Sequence, residues 1–309
     1  MKAKMIDLSE WEEFGAGGVG KSYFSKTDDS IILKLNNEGW PEEKALGEYE
    51  FSKKVEELGI PCPHTYDYVT DGTRFGMTVE RIKDKKSFYR ILSEDPSKAD
   101  ELARRFAEHA LRLHSTPCDT KSFPSMKEQW REQITGCADI PDDLKTKVLA
   151  LFDDFPDATT CLHGDFHSGN IITAGGKDYW IDLGQFSYGD PYFDFANIYY
   201  VSHMLPDRFA EPMFHIGKDV HQPYEELIEK YYFDFDHKTP EQVEAIKAKI
   251  LKATMIKVAW FIVDAPRSKV LMIPTLQKYF GMKAQSPLIL IWKDLKYKIF
   301  HKEEKIRRD

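Results

Sequence analysis

Apolar and polar positions change their rhythm once along this chain, near residue 82. From Glu10 to Leu35 the pattern reads strand, glycine-rich turn (Gly15–Lys21), strand, polar turn (Lys26–Ser30) and strand, the last being the aliphatic run Ile31–Leu35. A helix follows. Pro41 opens it, Glu42 and Glu43 suit the positive end of its dipole, Leu46, Phe51, Val55 and Leu58 form its apolar stripe, and Gly59 stops it. Tyr66–Val69 and Arg74–Glu80 then read as strands about the turn Asp71-Gly72.

Past Ile82 the period becomes helical. Ala99–His114 places Leu102, Phe106, Ala110 and Leu113 on one side, and Pro141–Phe155 does the same with Leu144, Val148, Leu151 and Phe152. A strand-rich insert, Thr160–Leu183, interrupts the helices, which resume at Asp194–His203, Glu225–Tyr232, Pro240–Val263 and Leu288–Phe300. The expectation is an α+β protein of two lobes: residues 1–82 with an antiparallel sheet and one helix, and residues 83–309 larger and mostly helical.

Composition narrows the function. With 42% apolar and 30% charged residues the chain can build a packed core. A formal charge of −8 argues against a nucleic-acid partner and is compatible with a cationic small acceptor. Cys62, Cys118, Cys137 and Cys161 lie far apart with no Cys-x-x-Cys pair, which reads as free thiols in a reducing compartment. No run reaches signal-peptide length or the ~20 apolar residues of a membrane span, so a cytoplasmic protein without membrane contact is expected.

Gly15-Ala-Gly-Gly-Val-Gly-Lys-Ser22 satisfies the P-loop pattern G-x-x-x-x-G-K-[ST]. That motif works only between a buried strand and a helix whose first amides cradle the phosphates. Here Leu8–Phe14 contains three glutamates, and Asp28-Asp29-Ser30 would break a helix after Ser22 within two turns. A P-loop NTPase is therefore the remote alternative. A glycine-rich loop between antiparallel strands, covering phosphates from above, competes with an ordinary hairpin, and this segment alone does not decide between them.

The deciding segment is His163-Gly-Asp-Phe-His-Ser-Gly-Asn170, with Asp182 following in Tyr179-Trp-Ile-Asp-Leu-Gly184. Phosphoryl transfer asks a protein for one carboxylate to align the acceptor hydroxyl and oxygen ligands to hold magnesium on the phosphates. Asp165 and Asn170 have the spacing of a kinase catalytic carboxylate and its metal-binding amide. A hairpin through Ala174–Asp178 returns Asp182 beside Asn170, completing a magnesium site. His163 and His167 read as structural props.

These residues resemble the aminoglycoside phosphotransferase and choline kinase-like family, a branch of the protein-kinase-like fold with a His-Gly-Asp-x-x-x-x-Asn loop. The resemblance runs to about residue 205. It implies ATP, with GTP as an alternative, and Mg2+. It implies Gly17, Gly18 and Gly20 over the phosphates, Lys34 on the α- and β-phosphates, Glu48 as the ion-pair partner of Lys34, and a hinge at Val79–Ile82, with Glu80 and Ile82 at the adenine. Asp194 is implied as an anchor of the catalytic loop. The short stretch from Asp182 to Asp194 leaves no room to dock a polypeptide, so the acceptor is a small molecule. Aminoglycoside amines would find carboxylates among Glu211, Asp219, Glu225, Glu226, Asp234, Asp236 and Asp264. A choline- or ethanolamine-type acceptor would use Tyr199, Tyr200 and Trp260 as an aromatic box.

Overall fold

The structure, a computed structural model, describes residues 1–16 and 20–284. Gly17, Gly18 and the helix expected at Leu288–Phe300 lie outside the described residues.

The first lobe is a six-stranded sheet in the order β1-β5-β6-β4-β3-β2. Its strands are β1 (Lys4–Met5), β2 (Trp11–Ala16), β3 (Gly20–Ser25), β4 (Ile31–Asn36), β5 (Thr65–Thr70) and β6 (Phe75–Glu80). All neighbours are antiparallel except β1 with β5, and the sequence pattern had missed the short β1. The two-residue period of β4 sets what faces where. Leu33 and Leu35 are buried with Tyr23 and Val69, whereas Lys34 and Asn36 face α1 (Glu42–Glu57) and the interlobe cleft.

Helix α1 begins after Pro41, and Gly59 follows its end with φ of 74°. Its first half lays Ala45 and Tyr49 on the sheet beside Tyr68. Its second half sends Val55 into the core of the other lobe, and Phe51 meets Phe123 at 4.8 Å. One helix thus packs on both cores.

The second lobe contains β7 (Lys86–Ser87), α2 (Phe88–Glu94), α3 (Ala99–Ser115), α4 (Met126–Gly136), α5 (Asp142–Leu151), β8 (Cys161–Leu162), β9 (Ile171–Ala174), β10 (Lys177–Trp180), β11 (Ser187–Tyr188), α6 (Tyr192–Tyr199), α7 (Asp207–Phe214), α8 (Lys218–Tyr232), α9 (Pro240–Asp264) and α10 (Lys269–Tyr279). The predicted stripe of α3 is buried throughout. Helix α9 starts with a Thr239–Gln242 capping box and threads the core with Ile250, Met255, Ile256 and Ile262. Helix α8 begins seven residues before the expected Glu225 and runs through Pro223. Packing of its Tyr224 and Ile228 in the core outweighs the hydrogen bond lost at proline. Helix α6 continues into one π turn, Tyr200–Met204.

Two small sheets lie beneath the cleft, β10-β9-β7 and β11-β8. Gly175 and Gly176, both at positive φ, form the two-residue loop joining β9 to β10. Among the described residues no helix is long and apolar enough to cross a membrane.

Candidate active site

The loop after β8 is held from behind by Asp194 of α6. The Asp194 carboxylate is fully buried and accepts the backbone N–H groups of His163 at 2.7 Å and Gly164 at 2.9 Å. It also accepts from His114 Nε2 at 3.0 Å, and His114 Nδ1 meets the Tyr232 hydroxyl at 2.8 Å. A buried carboxylate with three charge-assisted donors is a rigid anchor. Gly164 has φ of 83°, and a Cβ there would lie 2.1 Å from the Gln185 carbonyl oxygen, so only glycine fits. His163 is the prop that its sequence context implied. Its Nε2 donates to the Ile181 carbonyl at 3.0 Å, and burial, opposed by Asp194 and Asp165, lowers its pKa. Phe166 is buried against Phe106, Trp180 and Phe195.

Between these supports Asp165 is turned toward solvent. Its Oδ2 accepts Asn170 Nδ2 at 3.0 Å, its Oδ1 accepts Asn197 Nδ2 at 3.2 Å, and His167 Nε2 stands 3.7 Å away. Burial pushes the carboxyl up, but His167, His163 and Lys257 outweigh it and hold the group well below the usual carboxylate range. Asp165 is therefore ionised at any ordinary pH.

Asn170 gives its amide nitrogen to Asp165 twice, to the backbone oxygen at 2.7 Å and to the carboxylate. That fixes the amide orientation and leaves Oδ1 as its side-chain acceptor. The hairpin register Ile171↔Trp180, extended by the bond from Ile181 N–H to the Asn170 carbonyl at 2.9 Å, returns Asp182 beside Asn170. Asp182 is left-handed (φ 57°, ψ 48°), a conformation that costs ~1–3 kcal/mol and is found at functional sites. An amide oxygen and an exposed carboxylate are hard ligands, and a magnesium ion that keeps its waters needs little more. No larger cluster of His, Cys, Asp or Glu suited to a metal occurs among the described residues.

Asp182 also lines a cleft of about 1140 Å³ between the lobes, with Gly20, Lys34, Glu48, Glu80 and Ile82. Asp165 and Asn170 are not among the residues that line it. Lys34 and Glu48 share the cleft without touching. Glu48 accepts from Asn36 Nδ2 at 3.1 Å, and Lys34 has no carboxylate within 4.0 Å among the described residues. The reason is position: Asn36 is two residues further along the same face of β4 and meets the helix first. The Glu80 side chain accepts the His64 N–H at 3.1 Å and so secures the strand edge.

Gly20, Lys21 and Ser22 belong to β3, paired with Asn36, Leu35 and Lys34 of β4. Lys21 is tied to Glu13 at 2.8 Å on the surface. A strand stands where a P-loop requires a helix, so the P-loop alternative fails.

The sequence did not point to Asn197 or Lys257. Asn197 lies three residues after Asp194, on one face of α6. Lys257 was visible only as a lone cation in the apolar stretch of α9. Its buried ammonium faces Trp130, Trp260 and Phe261 at 4.4–5.2 Å and lies 3.5 Å from the Gly164 carbonyl oxygen. The aromatic box does not assemble. Trp260 is taken by Lys257, Tyr199 stacks on His203 at 4.2 Å, and Tyr200 packs on Phe261. Of the acidic candidates, Glu225 is buried against Ser202 and His203, whereas Asp264 lines a second cavity of about 230 Å³ with Trp260, Gln129 and Gln133.

The fold matches that of known proteins. An ADP-bound aminoglycoside phosphotransferase, APH(2'')-Ib, superposes with a TM-score of 0.57 at 19% identity, over 83% of this chain and 86% of that one. APH(2'')-IIa in a ternary complex with streptomycin and ATP gives 0.56 at 18%, over 87% and 91%. A choline/ethanolamine kinase family protein from Mesorhizobium loti gives 0.52 at 12%, over 83% and 81%. At these identities the likeness is one of fold, the protein-kinase-like fold. No curated protein matches the chain. The sequence model of the phosphotransferase enzyme family matches residues 10–227, well over half the chain and the whole of the loop built around Asp165, and the chain belongs to that family.

Proposed function

We propose that this phosphotransferase moves the γ-phosphoryl group of ATP, or of GTP, to a hydroxyl of a small amine-bearing acceptor. The observation that carries this reading is Asp165, an ionised carboxylate fixed by two asparagines on a loop pinned by Asp194. A carboxylate so acidic aligns the acceptor hydroxyl by accepting its hydrogen bond, and takes the proton only as the oxygen–phosphorus bond forms. Asn170 Oδ1 and the Asp182 carboxylate would hold magnesium, which when bound neutralises charge on the β- and γ-phosphates. Lys34 reaches the phosphates, Gly20 at the head of β3 lies under them at the cleft wall, and the Glu80–Ile82 backbone meets the base. Residues 1–82 thus serve as the nucleotide lobe and residues 83–309 as the catalytic and acceptor lobe.

The acceptor class is supported by the second cavity, where Asp264 offers a carboxylate to an ammonium and Gln129 and Gln133 offer amides to hydroxyls. Lys257, over the Trp260 wall of that cavity and against Gly164, links it to the Asp165 loop. The test is diphosphate release by the purified chain from ATP or GTP over a panel of aminoglycosides, amino sugars, choline, ethanolamine and hydroxyamino acids. Release stimulated by an aminoglycoside or amino sugar supports the proposal. Stimulation by choline alone moves the acceptor to quaternary amines, and no stimulation by any acceptor overturns the reading.

A further inference from the structure

The segment joining the lobes, Lys83-Asp84-Lys85-Lys86, carries three ammonium groups that the fold treats differently. Lys83 pairs with Asp29 at 2.6 Å, and Lys86 pairs with Glu94 at 2.6 Å. Lys85 has no carboxylate within 4.0 Å among the described residues; like Lys83 it lines the large cleft, which Lys86 does not. The backbone explains the difference. Asp84 turns the chain through a left-handed residue (φ 52°), and Lys86 and Ser87 then pair with Thr173 and Ile172 of β9. Consecutive side chains in extended backbone point to opposite faces, so Lys86 goes out to Glu94 and Lys85 goes in.

Lys85 is an exposed residue of the cleft wall; there Lys34 repels its ammonium and Asp182 attracts it, and partial desolvation within the cleft together with Lys34 lowers its pKa. Of the four lysines that line the cleft, Lys21 and Lys83 are paired with Glu13 and Asp29, and the other two, Lys34 and Lys85, repel each other until a multivalent anion lies between them. Adenine and ribose carry no such charge, whereas a polyphosphate does. We propose that Lys85 is a second cation of the polyphosphate site, acting with Lys34 from the other side of the cleft. The inference rests on the reading of this cleft as the nucleotide site. Lys34 comes from the sheet and Lys85 from the interlobe segment, so a polyphosphate held by both draws the two walls together.

Calorimetric titration of the full chain with Mg·ATP, adenosine and inorganic tripolyphosphate tests the assignment. Lys85→Ala and Lys85→Gln should weaken ATP and tripolyphosphate roughly 10- to 100-fold, the worth of a hydrogen bond to a charged group, and leave adenosine within about twofold. Lys85→Arg should recover most of the loss. Lys86→Ala, on the outer face, should bind all three as wild type does. Wild-type affinity for ATP and tripolyphosphate in Lys85→Ala overturns the inference, as does an equal loss of adenosine, which would mark a structural residue. A wild-type chain that binds no nucleotide refutes the kinase reading instead, and tripolyphosphate then still reports on Lys85.

Discussion

Asp165 and Lys257 show burial and charged neighbours competing for the charge of a side chain, with opposite outcomes. Burial works against the charge on both. For Asp165 the surrounding histidines and Lys257 prevail, and the carboxylate stays ionised. Asp165→Asn should therefore lower turnover by roughly 10²–10⁴-fold, the range for a lost general base, with nucleotide affinity unchanged. Steady-state kinetics beside a binding titration checks both halves, and near-wild-type turnover would remove Asp165 from the mechanism. For Lys257 burial prevails, opposed by Asp165, Asp194 and Asp264, and the pKa falls to about 8 from an ordinary 10.5. The sign follows from proton counting. Between those two values the unfolded chain binds a proton that the folded protein has released, so this residue adds stability as pH rises through the window. Lys257→Met removes that slope. Urea denaturation at pH 8 and pH 10 should show wild type gaining on the variant with rising pH; a constant difference would mean that Lys257 titrates normally.

On the paired strands β3 and β4 two lysines exchange the meaning that a pattern search gives them. Ser22 pairs with Lys34 across β3 and β4, so Lys21 and Lys34 are almost neighbours and both line the cleft, but Lys21 is held by Glu13 in a solvent-exposed ion pair whereas Lys34 has no carboxylate within 4.0 Å among the described residues. Lys34→Ala should lose most activity. Lys21→Ala should change nucleotide affinity by no more than a few-fold, as expected of an exposed charge screened by water and salt. Kinetics on the pair decides, and a dead Lys21→Ala beside a healthy Lys34→Ala would invert the roles. The close approach of β6 matters as well. A Cβ on Gly76 would stand 1.9 Å from the Lys34 carbonyl oxygen, so this glycine lets β6 lie flat against the lysine's own backbone.

At the scale of the molecule, α1 packs on both cores, and the cleft between the lobes collects side chains from the sheet, the joining segment and the β9–β10 hairpin. A ligand that binds only this assembled cleft stabilises the fold by mass action, about 2.7 kcal/mol at a hundredfold excess over Kd. Mg·ATP should therefore raise the melting temperature of wild type. Asp182→Ala should abolish that rise, and Asn170→Ala should reduce it, because water replaces a neutral ligand more readily than a charged one. Differential scanning fluorimetry with and without EDTA measures this. A full Mg·ATP shift in Asp182→Ala would place the metal elsewhere.

The sequence by itself determined what depends on local spacing. The strands and turns from Glu10 to Glu80, the helix from Pro41 to Gly59, the Asp165–Asn170 loop and the hairpin that returns Asp182 all rest on contacts between residues close in the chain, where periodicity, proline, glycine and turn length act directly. Only the tertiary structure decided what depends on distant partners. Asp194 reaches His114 across eighty positions, and Lys257 reaches Gly164 across ninety-three. Asn197 completes the seat of Asp165 from another element, Glu48 meets Asn36 rather than Lys34, and Trp260 goes to Lys257 instead of an aromatic box. Proline 223 marked no boundary, because packing of α8 in the core outweighs one missing hydrogen bond. Long-range pairs of this kind leave no period in the sequence; they are set by which faces the folded core brings together.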